Sequence, residues 1–192
     1  HYKFSTHLSG KHNLYNVTAA ICVAIEENIS IKNIAKGLND FQGVGRRFEL
    51  SEIYFADQPH VLIDDYGHHP TEILSTILAT KEKFPRKKIC MIFEPHRYTR
   101  TQQLFDDFVR VLSKVDFLLL LNIYPASEKP IKGISSKKLA FQIMKNHRNV
   151  HYLGRQDPME WLQNNYKDFS ILITQGAGTI SKLNYEIKKK WQ

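Results

Sequence analysis

The stretch that decides the fold is residues 60–93, HVLIDDYGHHPTEILSTILATKEKFPRKKICMIF. Its two apolar runs, HVLID at 60–64 and KICMIF at 88–93, have the length of buried strands. The segment between them, PTEILSTILATKEKF at 70–84, has helical spacing and begins with proline, which suits a first helical turn. A strand, a helix and a strand in this order predict one parallel βαβ unit.

The same alternation continues on both sides of this unit. Further strands are predicted at 47–55, 116–122, 150–153 and 169–174, and further helices at 101–115, 135–146, 157–166 and 179–191. Uninterrupted apolar strands alternating with amphipathic helices are typical of a mostly parallel sheet covered on both faces. We therefore expect an α/β fold, a Rossmann-like doubly wound sheet of about six strands. A helical pair at 12–28 and 31–41 precedes it, with Ser30 as the cap of the second helix, and Asp157 is the predicted cap of the helix at 157–166.

The composition is that of an ordinary globular protein, with 42% hydrophobic and 24% charged residues among 192. The longest apolar run, FLLLL at 117–121, is too short to cross a membrane, so no membrane contact is expected. Cys22 and Cys90 each lie in an apolar run, which predicts buried, reduced thiols and a cytoplasmic setting. The first residues lack a signal pattern and an initiator methionine, and we interpret His1 as a cut inside a longer protein.

The net charge of +8 leaves several classes of partner open. A basic chain can bind nucleic acid or an anionic small molecule, or it can simply have a lysine-rich solvated surface. The lysines are dispersed except in IKKKW at 187–191, and no RNA-binding or helix-turn-helix pattern accompanies them. This distribution favours the solvated surface, and no nucleic-acid partner is expected.

The unusual polar segments of the chain all follow predicted strands. They are DDYGHHP, EPHRYTRT, NIYPASEKPIKG, LGRQD and QGAG. Because the carboxyl ends of parallel strands meet at one edge of a sheet, we expect these segments to gather there. Ligands of doubly wound sheets bind at that edge, so scattered polar residues become one candidate site.

Arg97 and Arg100 are three residues apart, just before or within the first turn of a predicted helix. At this spacing both side chains can point the same way. Two guanidinium groups near a helix N-terminus suit a carboxylate or a phosphate. A pair of surface salt bridges is the alternative for such arginines.

The segment DDYGHHP combines residue types used for ligand binding and for proton transfer. Gly67 allows a sharp turn after the strand, and an aspartate at a strand end can accept hydrogen bonds from ribose hydroxyls. His68 or His69 could orient or deprotonate a nucleophile. A metal site stays open, although no i,i+4 histidine pair or CxxC supports it. For His69 we prefer the role of cap on the helix that begins at Pro70.

Two further features have competing interpretations. The glycine turn QGAGT at 175–179 could form an anion-binding nest, or it could serve close packing of strand against helix. It matches neither GxGxxG nor a phosphate loop. Asn13 suits a helix start, whereas Asn16 lies one turn further on. Two amides on one helical face can read the edge of a base.

Taken together, these segments resemble the Mur ligases, and among them the branch that joins L-alanine to UDP-N-acetylmuramate. The resemblance rests on GKHNLYNVTAA, FQGVGRRFE, DDYGHHPTEI, FEPHRYTRT, IYPASEKPIKGI and GAGTI, and it extends from about residue 9 to about residue 183. It implies ATP-dependent amide formation through an acyl phosphate, for peptidoglycan precursor synthesis. It also implies that residues 1–46 are the tail of a central ATP-binding domain and that residues 47–192 are a C-terminal amino-acid-binding domain.

The resemblance assigns one set of residues to ATP. His12, Asn13 and Asn16 match positions that hold adenine. Arg47, the second arginine of GRRFE, matches the arginine that reaches the nucleotide phosphates and contributes to catalysis. Asp65 matches the carboxylate that binds the ATP ribose.

A second set of residues is assigned to the amino acid and the reacting carboxylate. These residues are Tyr66, His68, Arg97 and Arg100. An arginine fork suits the carboxylate of alanine, and an imidazole suits an amine that must lose a proton. His68 is therefore a candidate base, with orientation of the substrate as its alternative role.

Other parts of the reaction are expected outside this sequence. No GxxxxGK[ST] motif occurs here, so the phosphate loop, the modified lysine and the Mg²⁺ ligands of the family are expected upstream, and no metal ligand is assigned here. This chain alone should be inactive and should need the missing N-terminal and central domains as partners. The helix at 13–28 should then expose an apolar face that the missing half covers.

Two alternatives to the ligase are weighed against it. A non-catalytic nucleotide- or nucleic-acid-binding module is weakly favoured by the basic charge, but an aromatic stacking motif and a continuous basic stripe are lacking. A dinucleotide oxidoreductase is disfavoured because no GxGxxG follows the first strand. One departure from the family pattern is Glu94, where glutamine is expected. Its charge could tune Arg97 or point to solvent.

Overall fold

The computed structural model describes residues 2–8, 10–41 and 43–192, apart from the side chain of His12. The helices in these ranges are α1 (Lys11–Glu26), α2 (Ile31–Asp40), α3 (Pro70–Lys83), α4 (Tyr98–Gln103), α5 (Phe105–Leu112), α6 (Ser136–Met144), α7 (Pro158–Asn165) and α8 (Ile180–Trp191). The strands are β1 (Glu49–Phe55), β2 (Gln58–Asp65), β3 (Ile89–Phe93), β4 (Phe117–Leu121), β5 (Val150–Gly154) and β6 (Ile171–Gln175).

The strands form a six-stranded sheet in the order β1-β2-β6-β3-β4-β5. All neighbours are parallel except β1 and β2, which form an antiparallel hairpin. The hairpin turns at Ala56 and Asp57, whose φ angles of 45° and 64° suit a two-residue turn. The mostly parallel, doubly wound α/β sheet expected from the sequence is confirmed.

Two apolar cores lie on opposite faces of the sheet, because successive side chains of a buried strand point to opposite sides. In β3, the side chains of Ile89, Met91 and Phe93 pack with α3, α5 and α6. Cys90 and Ile92 pack with α7 and α8 on the other face. Every residue of β3 is buried, which explains why this strand is a continuous apolar run in the sequence.

The crossovers place a topological switch point at β6. Helix α3 connects β2 to β3 over one face, whereas α7 leads from β5 back to β6 over the other. Strand β6 therefore lies between β2 and β3, and the connections diverge beside its carboxyl end. Crevices at such points are where doubly wound folds bind ligands.

Helices α1 and α2 precede the sheet and pack on each other, and α1 also contacts α3. Ser30 caps α2 by accepting a hydrogen bond from the Asn33 N–H, as the sequence predicted. Tyr15 and Val23 of α1 are 64% and 62% exposed. The apolar side chains expected to be exposed on α1 are therefore exposed, as is typical of a surface that binds another protein segment.

Two details of the sequence prediction were wrong. Cys22 is exposed because α1 packs on its neighbours along one side only, and Cys90 alone is buried as expected. The helix predicted at 101–115 begins earlier, at Tyr98, and is divided at Leu104, whose φ of −113° leaves the helical region. In the described part of the chain, no helix is long and apolar enough to cross a membrane.

Ile77 and Leu78 are neighbours in α3 with opposite environments, fully buried and 56% exposed respectively. Replacing Ile77 with alanine should lower the free energy of unfolding by about 2–5 kcal/mol, because a cavity forms between α3 and the sheet. Leu78→Ala should change it by less than about 0.5 kcal/mol. Urea denaturation of both variants measures this, and equal losses would contradict the placement of α3.

Candidate functional site

The carboxyl edge of the sheet brings the predicted polar segments together. Asp65 at the end of β2 lies beside Gln175 at the end of β6, and Gln175 lies beside Phe93 at the end of β3. His96, in the segment after β3, forms a parallel bridge with Tyr124 after β4. The connectivity argument from the sequence is thus confirmed for the segments after these strands.

The carboxylate of Asp65 is buried and accepts three hydrogen bonds at this edge. Its Oδ1 accepts from the Gly67 N–H at 2.8 Å and from Gln175 Nε2 at 2.6 Å. Its Oδ2 accepts from the Phe48 N–H at 2.9 Å. A carboxylate oxygen can accept two hydrogen bonds, so among the described contacts Oδ2 keeps capacity for a ligand hydroxyl.

Gly67 is required for space rather than for a special backbone angle. A Cβ at this position would lie 2.6 Å from both Asp65 Oδ1 and Gln175 Nε2. Gln175 Nε2 also donates to the Gly67 carbonyl at 2.8 Å. The turn after β2 is therefore packed directly against the end of β6.

Arg46 joins the loop before β1 to the ends of β2 and β6. Its Nε lies 3.1 Å from Asp64 Oδ2, and its Nη2 donates to the Gly176 carbonyl at 2.7 Å. Burial raises the pKa of Asp64 above its ordinary value, although the Arg46 guanidinium and the Thr174 hydroxyl oppose this. Sequence reasoning missed Arg46, and its only signal was its place beside Arg47.

Tyr66 lies against two guanidinium groups. Its ring centroid is 5.4 Å from Cζ of Arg46 and 5.3 Å from Cζ of Arg47. Arg47 is half-exposed, and its Nη1 lies 3.8 Å from Glu72 Oε1. Tyr66 is itself exposed, so the site presents an aromatic ring and a half-exposed cation at its surface.

A cavity of about 640 Å³ opens between the helical pair and α3, beside Asp65 at the end of β2. Its polar lining includes Asn13, Asn16, Arg47 and Asp65, four of the residues that the sequence assigned to ATP. Apolar walls come from Val17, Ala20, Leu38, Phe41 and Val44. The side chain of His12, the fifth residue of that set, lies outside the described part of the chain. A mostly apolar pocket with a few polar groups is what a nucleoside requires.

His68 has a defined tautomer. Its Nδ1 lies 3.2 Å from the Tyr66 carbonyl, which only accepts, so the neutral ring carries its proton on Nδ1 and a lone pair on Nε2. Burial lowers the pKa of His68 below its ordinary value, and the Tyr66 carbonyl and Glu72 oppose this shift. A neutral imidazole with a free Nε2 is the form that accepts a proton.

Arg97 and Arg100 do not have equivalent environments. Arg97 is exposed and is the N-cap residue of α4 with a left-handed φ of 74°. Arg100 is half-buried, and its Nη1 lies 3.3 Å from His96 Nδ1 and 3.2 Å from the His96 carbonyl. The predicted position at a helix start is confirmed, but Arg100 also has a protein partner, His96, that the sequence analysis did not single out.

His69 caps α3, as the sequence analysis preferred. Its Nδ1 accepts from the Thr71 N–H at 3.2 Å, and Glu72 Oε2 accepts from the N–H groups of His69 and His68 at 3.0 and 2.8 Å. Although burial alone would raise it, these hydrogen bonds lower the pKa of Glu72. Glu72 thus stays ionised beside Arg47.

The glycine turn after β6 is already occupied by a side chain of this chain. Glu94 is buried and accepts from the Ile180 N–H at 3.0 Å and from Thr179 Oγ1 at 2.6 Å, at the start of α8. It neither points to solvent nor pairs with Arg97, the two roles considered from the sequence. A Cβ at Gly176 would lie 2.8 Å from the Glu94 carbonyl, which supports close packing as the reason for this glycine.

Within residues 2–8, 10–41 and 43–192, no group of three or more histidine, cysteine, aspartate or glutamate side chains could hold a metal ion. The site geometry therefore consists of hydrogen-bond donors, acceptors and cations.

The sequence model of the family described as "Mur ligase, glutamate ligase domain" matches residues 46–178. The chain belongs to the Mur ligase family. The match covers the sheet from the loop before β1 to the glycine turn after β6.

Solved structures share this fold. They include the UDP-N-acetylmuramate-alanine ligase of Thermotoga maritima, with a TM-score of 0.76 and 22% identity over 99% of this chain and 40% of that chain. The murein peptide ligase of Psychrobacter arcticus has a TM-score of 0.69 and 21% identity over 97% and 38%. The folylpolyglutamate synthase of Thermotoga maritima has a TM-score of 0.66 and 16% identity over 99% of this chain and 42% of that chain. The chain spans about two fifths of the length of each.

Gly67→Ala should lower the free energy of unfolding by about 1–3 kcal/mol, because the new methyl group overpacks the contact between Asp65 and Gln175. Gly37 offers a matched control, since a Cβ there meets nothing within 4 Å in the interior of α2. Gly37→Ala should leave stability unchanged or raise it by up to about 1 kcal/mol. Urea denaturation compares the two, and a harmless Gly67→Ala would contradict the packing described.

The pH dependence of stability follows from histidines whose pKa burial lowers, namely His68, His96 and His151. The unfolded chain takes up protons near pH 6.5, whereas these folded imidazoles do so only at lower pH. The unfolded state then binds more protons, so the free energy of unfolding should fall as the pH falls below about 6.5. His68→Gln should reduce this slope in urea titrations between pH 7.5 and 5.5. An unchanged slope would contradict the burial of His68.

Proposed function

We propose that this chain is the C-terminal part of an ATP-dependent ligase that joins L-alanine to UDP-N-acetylmuramate. The observation that carries the proposal is that one sheet edge presents a nucleoside-sized cavity, lined by Asn13, Asn16, Arg47 and Asp65, together with a histidine, His68, that packs on Tyr66. The fold shared with the alanine-adding ligase of Thermotoga maritima supports this choice. Residues 1–46 then belong to a central ATP-binding domain and residues 47–192 to the amino-acid-binding domain.

The cavity suits the nucleoside part of ATP. Asn13 and Asn16 line it beside apolar side chains and supply amides for a base edge. Asp65 Oδ2 has capacity for a ribose hydroxyl, and its other contacts hold it at the edge of the sheet. Arg47 is half-exposed and supplies the cation for phosphate at the mouth of the cavity.

The surroundings of His68 suit the amino acid. His68 lies against the Tyr66 ring with 5.4 Å between centroids, and Arg100 and Arg97 follow at the start of α4. The carboxylate of L-alanine is assigned to these arginines. The amine is assigned to His68, whose free Nε2 is the acceptor for a proton.

The proposed reaction has two steps, formation of an acyl phosphate and attack of the amine on it. A carboxylate oxygen of UDP-N-acetylmuramate attacks the γ-phosphorus of ATP, and the bond to the β-phosphate oxygen breaks to release ADP. The nitrogen of alanine then attacks the acyl carbon, and the bond from carbon to the phosphate oxygen breaks with its electron pair to release phosphate. The ammonium of alanine loses two protons as the amide forms: one leaves for His68 Nε2 and frees the lone pair for attack, and the other leaves for solvent when the tetrahedral intermediate collapses.

Mg²⁺ accompanies ATP in such reactions and neutralises phosphate charge. The described residues offer no set of ligands for it, so its ligands are proposed to lie upstream of this chain. The chain by itself should then be inactive, since the phosphates need a second surface. A cytoplasmic location accompanies the proposal because the reaction consumes ATP.

The test combines this chain with the upstream portion of the same protein, covalently joined or mixed. Phosphate release should require ATP, UDP-N-acetylmuramate and L-alanine together, and Arg47→Met should lower kcat/KM for ATP by about 10- to 100-fold. Arg110 pairs with Asp107 on the surface of α5, and Arg110→Met should stay within about twofold as a control. No substrate-dependent phosphate release from well-folded protein would overturn the proposal and favour a non-catalytic nucleotide-binding module.

A further inference from the structure

Two histidines at the amino-acid side of the site carry their protons on opposite ring nitrogens. His68 is held as the Nδ1–H tautomer by the Tyr66 carbonyl at 3.2 Å. His96 faces Arg100, whose Nη1 lies 3.3 Å from its Nδ1. A guanidinium only donates, so Nδ1 of His96 must accept and its proton lies on Nε2. The tautomers follow from the identity of each partner.

The two rings are close and firmly placed. Their centroids are 5.4 Å apart with an angle of 46° between the planes. His96 also stacks on Tyr124 at 5.4 Å, and the backbone of Tyr124 is bonded to Pro95 and Arg97 at 2.8 Å on either side of His96. His68 packs edge-on against Tyr66. Neither Nε2 has a partner among the described residues, so one free donor and one free acceptor remain.

The charges around the pair keep both rings neutral. Arg47, Arg97 and Arg100 face it with positive charge, and Glu72 and Glu128 supply the opposing carboxylates. A second proton on either ring would meet these cations and the neighbouring imidazole. Before substrate binds, the pair therefore presents one N–H and one lone pair on neutral rings.

We propose that His96 is a specificity-determining residue that donates Nε2–H to the carboxylate of the amino acid while His68 Nε2 accepts from the amine of the same molecule. This rests on the proposed function and adds a recognition role for His96. An α-amino acid is the class of substrate that has an acceptor and a donor on adjacent carbons. Arg100 then has two tasks, since it fixes the tautomer of His96 and supplies charge for the same carboxylate.

The tautomers are tested first on this chain by long-range ¹H–¹⁵N spectra of ¹⁵N-histidine-labelled protein at pH 8. His68 should appear as Nδ1–H and His96 as Nε2–H. Arg100→Met should abolish the tautomer preference of His96 and leave that of His68 intact. Nδ1–H at His96, or no response to Arg100→Met, would overturn the inference whether or not the ligase proposal holds.

The recognition role is tested with the joined ligase. The side-chain amide of glutamine can place an N–H where Nε2 lies, whereas that of asparagine reaches only the position of Nδ1. His96→Asn should raise KM for L-alanine by about 10-fold or more, as expected for loss of a hydrogen bond to a charged group, with a smaller change in kcat. His96→Gln should restore KM to within about threefold. His151→Gln should resemble the wild type, because His151 lies on β5 against Trp161 of α7.

Substrate analogues separate the two ends of the amino acid. Ethylamine lacks the carboxylate and any other acceptor there, so wild-type enzyme should use it poorly and His96→Asn should reduce its use no further. Equal losses for L-alanine and ethylamine in His96→Asn, or equal KM values for the glutamine and asparagine variants, would overturn the role of His96. A wild-type enzyme without ligase activity would instead refute the proposed function and leave the tautomer result standing.

Discussion

The hydrogen bonds of the Asp65 carboxylate are the constraint on which the site depends. This one side chain accepts from the backbone before β1, from the turn after β2 and from Gln175 at the end of β6. The first segment carries Arg47, the second carries His68 and His69, and the third is the glycine turn. A buried carboxylate needs such donors because its charge is otherwise costly in the interior. The hydrogen bonds that satisfy the Asp65 carboxylate therefore also position the three loops of the candidate site.

The loop before β1 and the turn after β2 are joined a second time by Arg46. Its contacts with Asp64 and Gly176 span 18 and 130 residues of sequence. The left-handed φ of 58° at Arg46 lets the loop fold back, and its carbonyl accepts from the Tyr66 N–H at 2.7 Å. Tyr66 is thereby held against the guanidinium groups of Arg46 and Arg47, and His68 packs on the same ring.

The glycine turn after β6 serves folding instead of ligand binding. A glycine turn before a helix is a common place for an anion, yet here Glu94 accepts the donors at the start of α8. Because that carboxylate is already present, substrate anions are assigned to side chains instead, namely Arg47, Arg97 and Arg100. The buried carboxylate links the end of β3 to α8 and so supports the segment that carries His96.

The sequence by itself determined the elements and their order. Residues 60–93 specify strand, helix and strand through local periodicity, and the caps Ser30, His69 and Asp157 were readable because a cap bonds within three residues. The gathering of Asn13, Asn16, Arg47 and Asp65 could also be anticipated, through family resemblance and the rule for parallel strands. The exposure of Cys22 could not be anticipated from the sequence, because it depends on which side of α1 is covered by other elements.

Only the tertiary structure decided the partners of the polar groups. Arg46 with Gly176, Glu94 with Ile180 and Asp65 with Gln175 are each separated by more than 80 residues. Local pattern does not encode such pairs, since they form only when separate strand ends meet. His96 lies near its partner Arg100 in sequence, but its tautomer depends on the direction of its ring, which packs on Tyr124 in the segment after β4. The physical reason is that periodicity reports burial, whereas hydrogen-bond direction is fixed by packing.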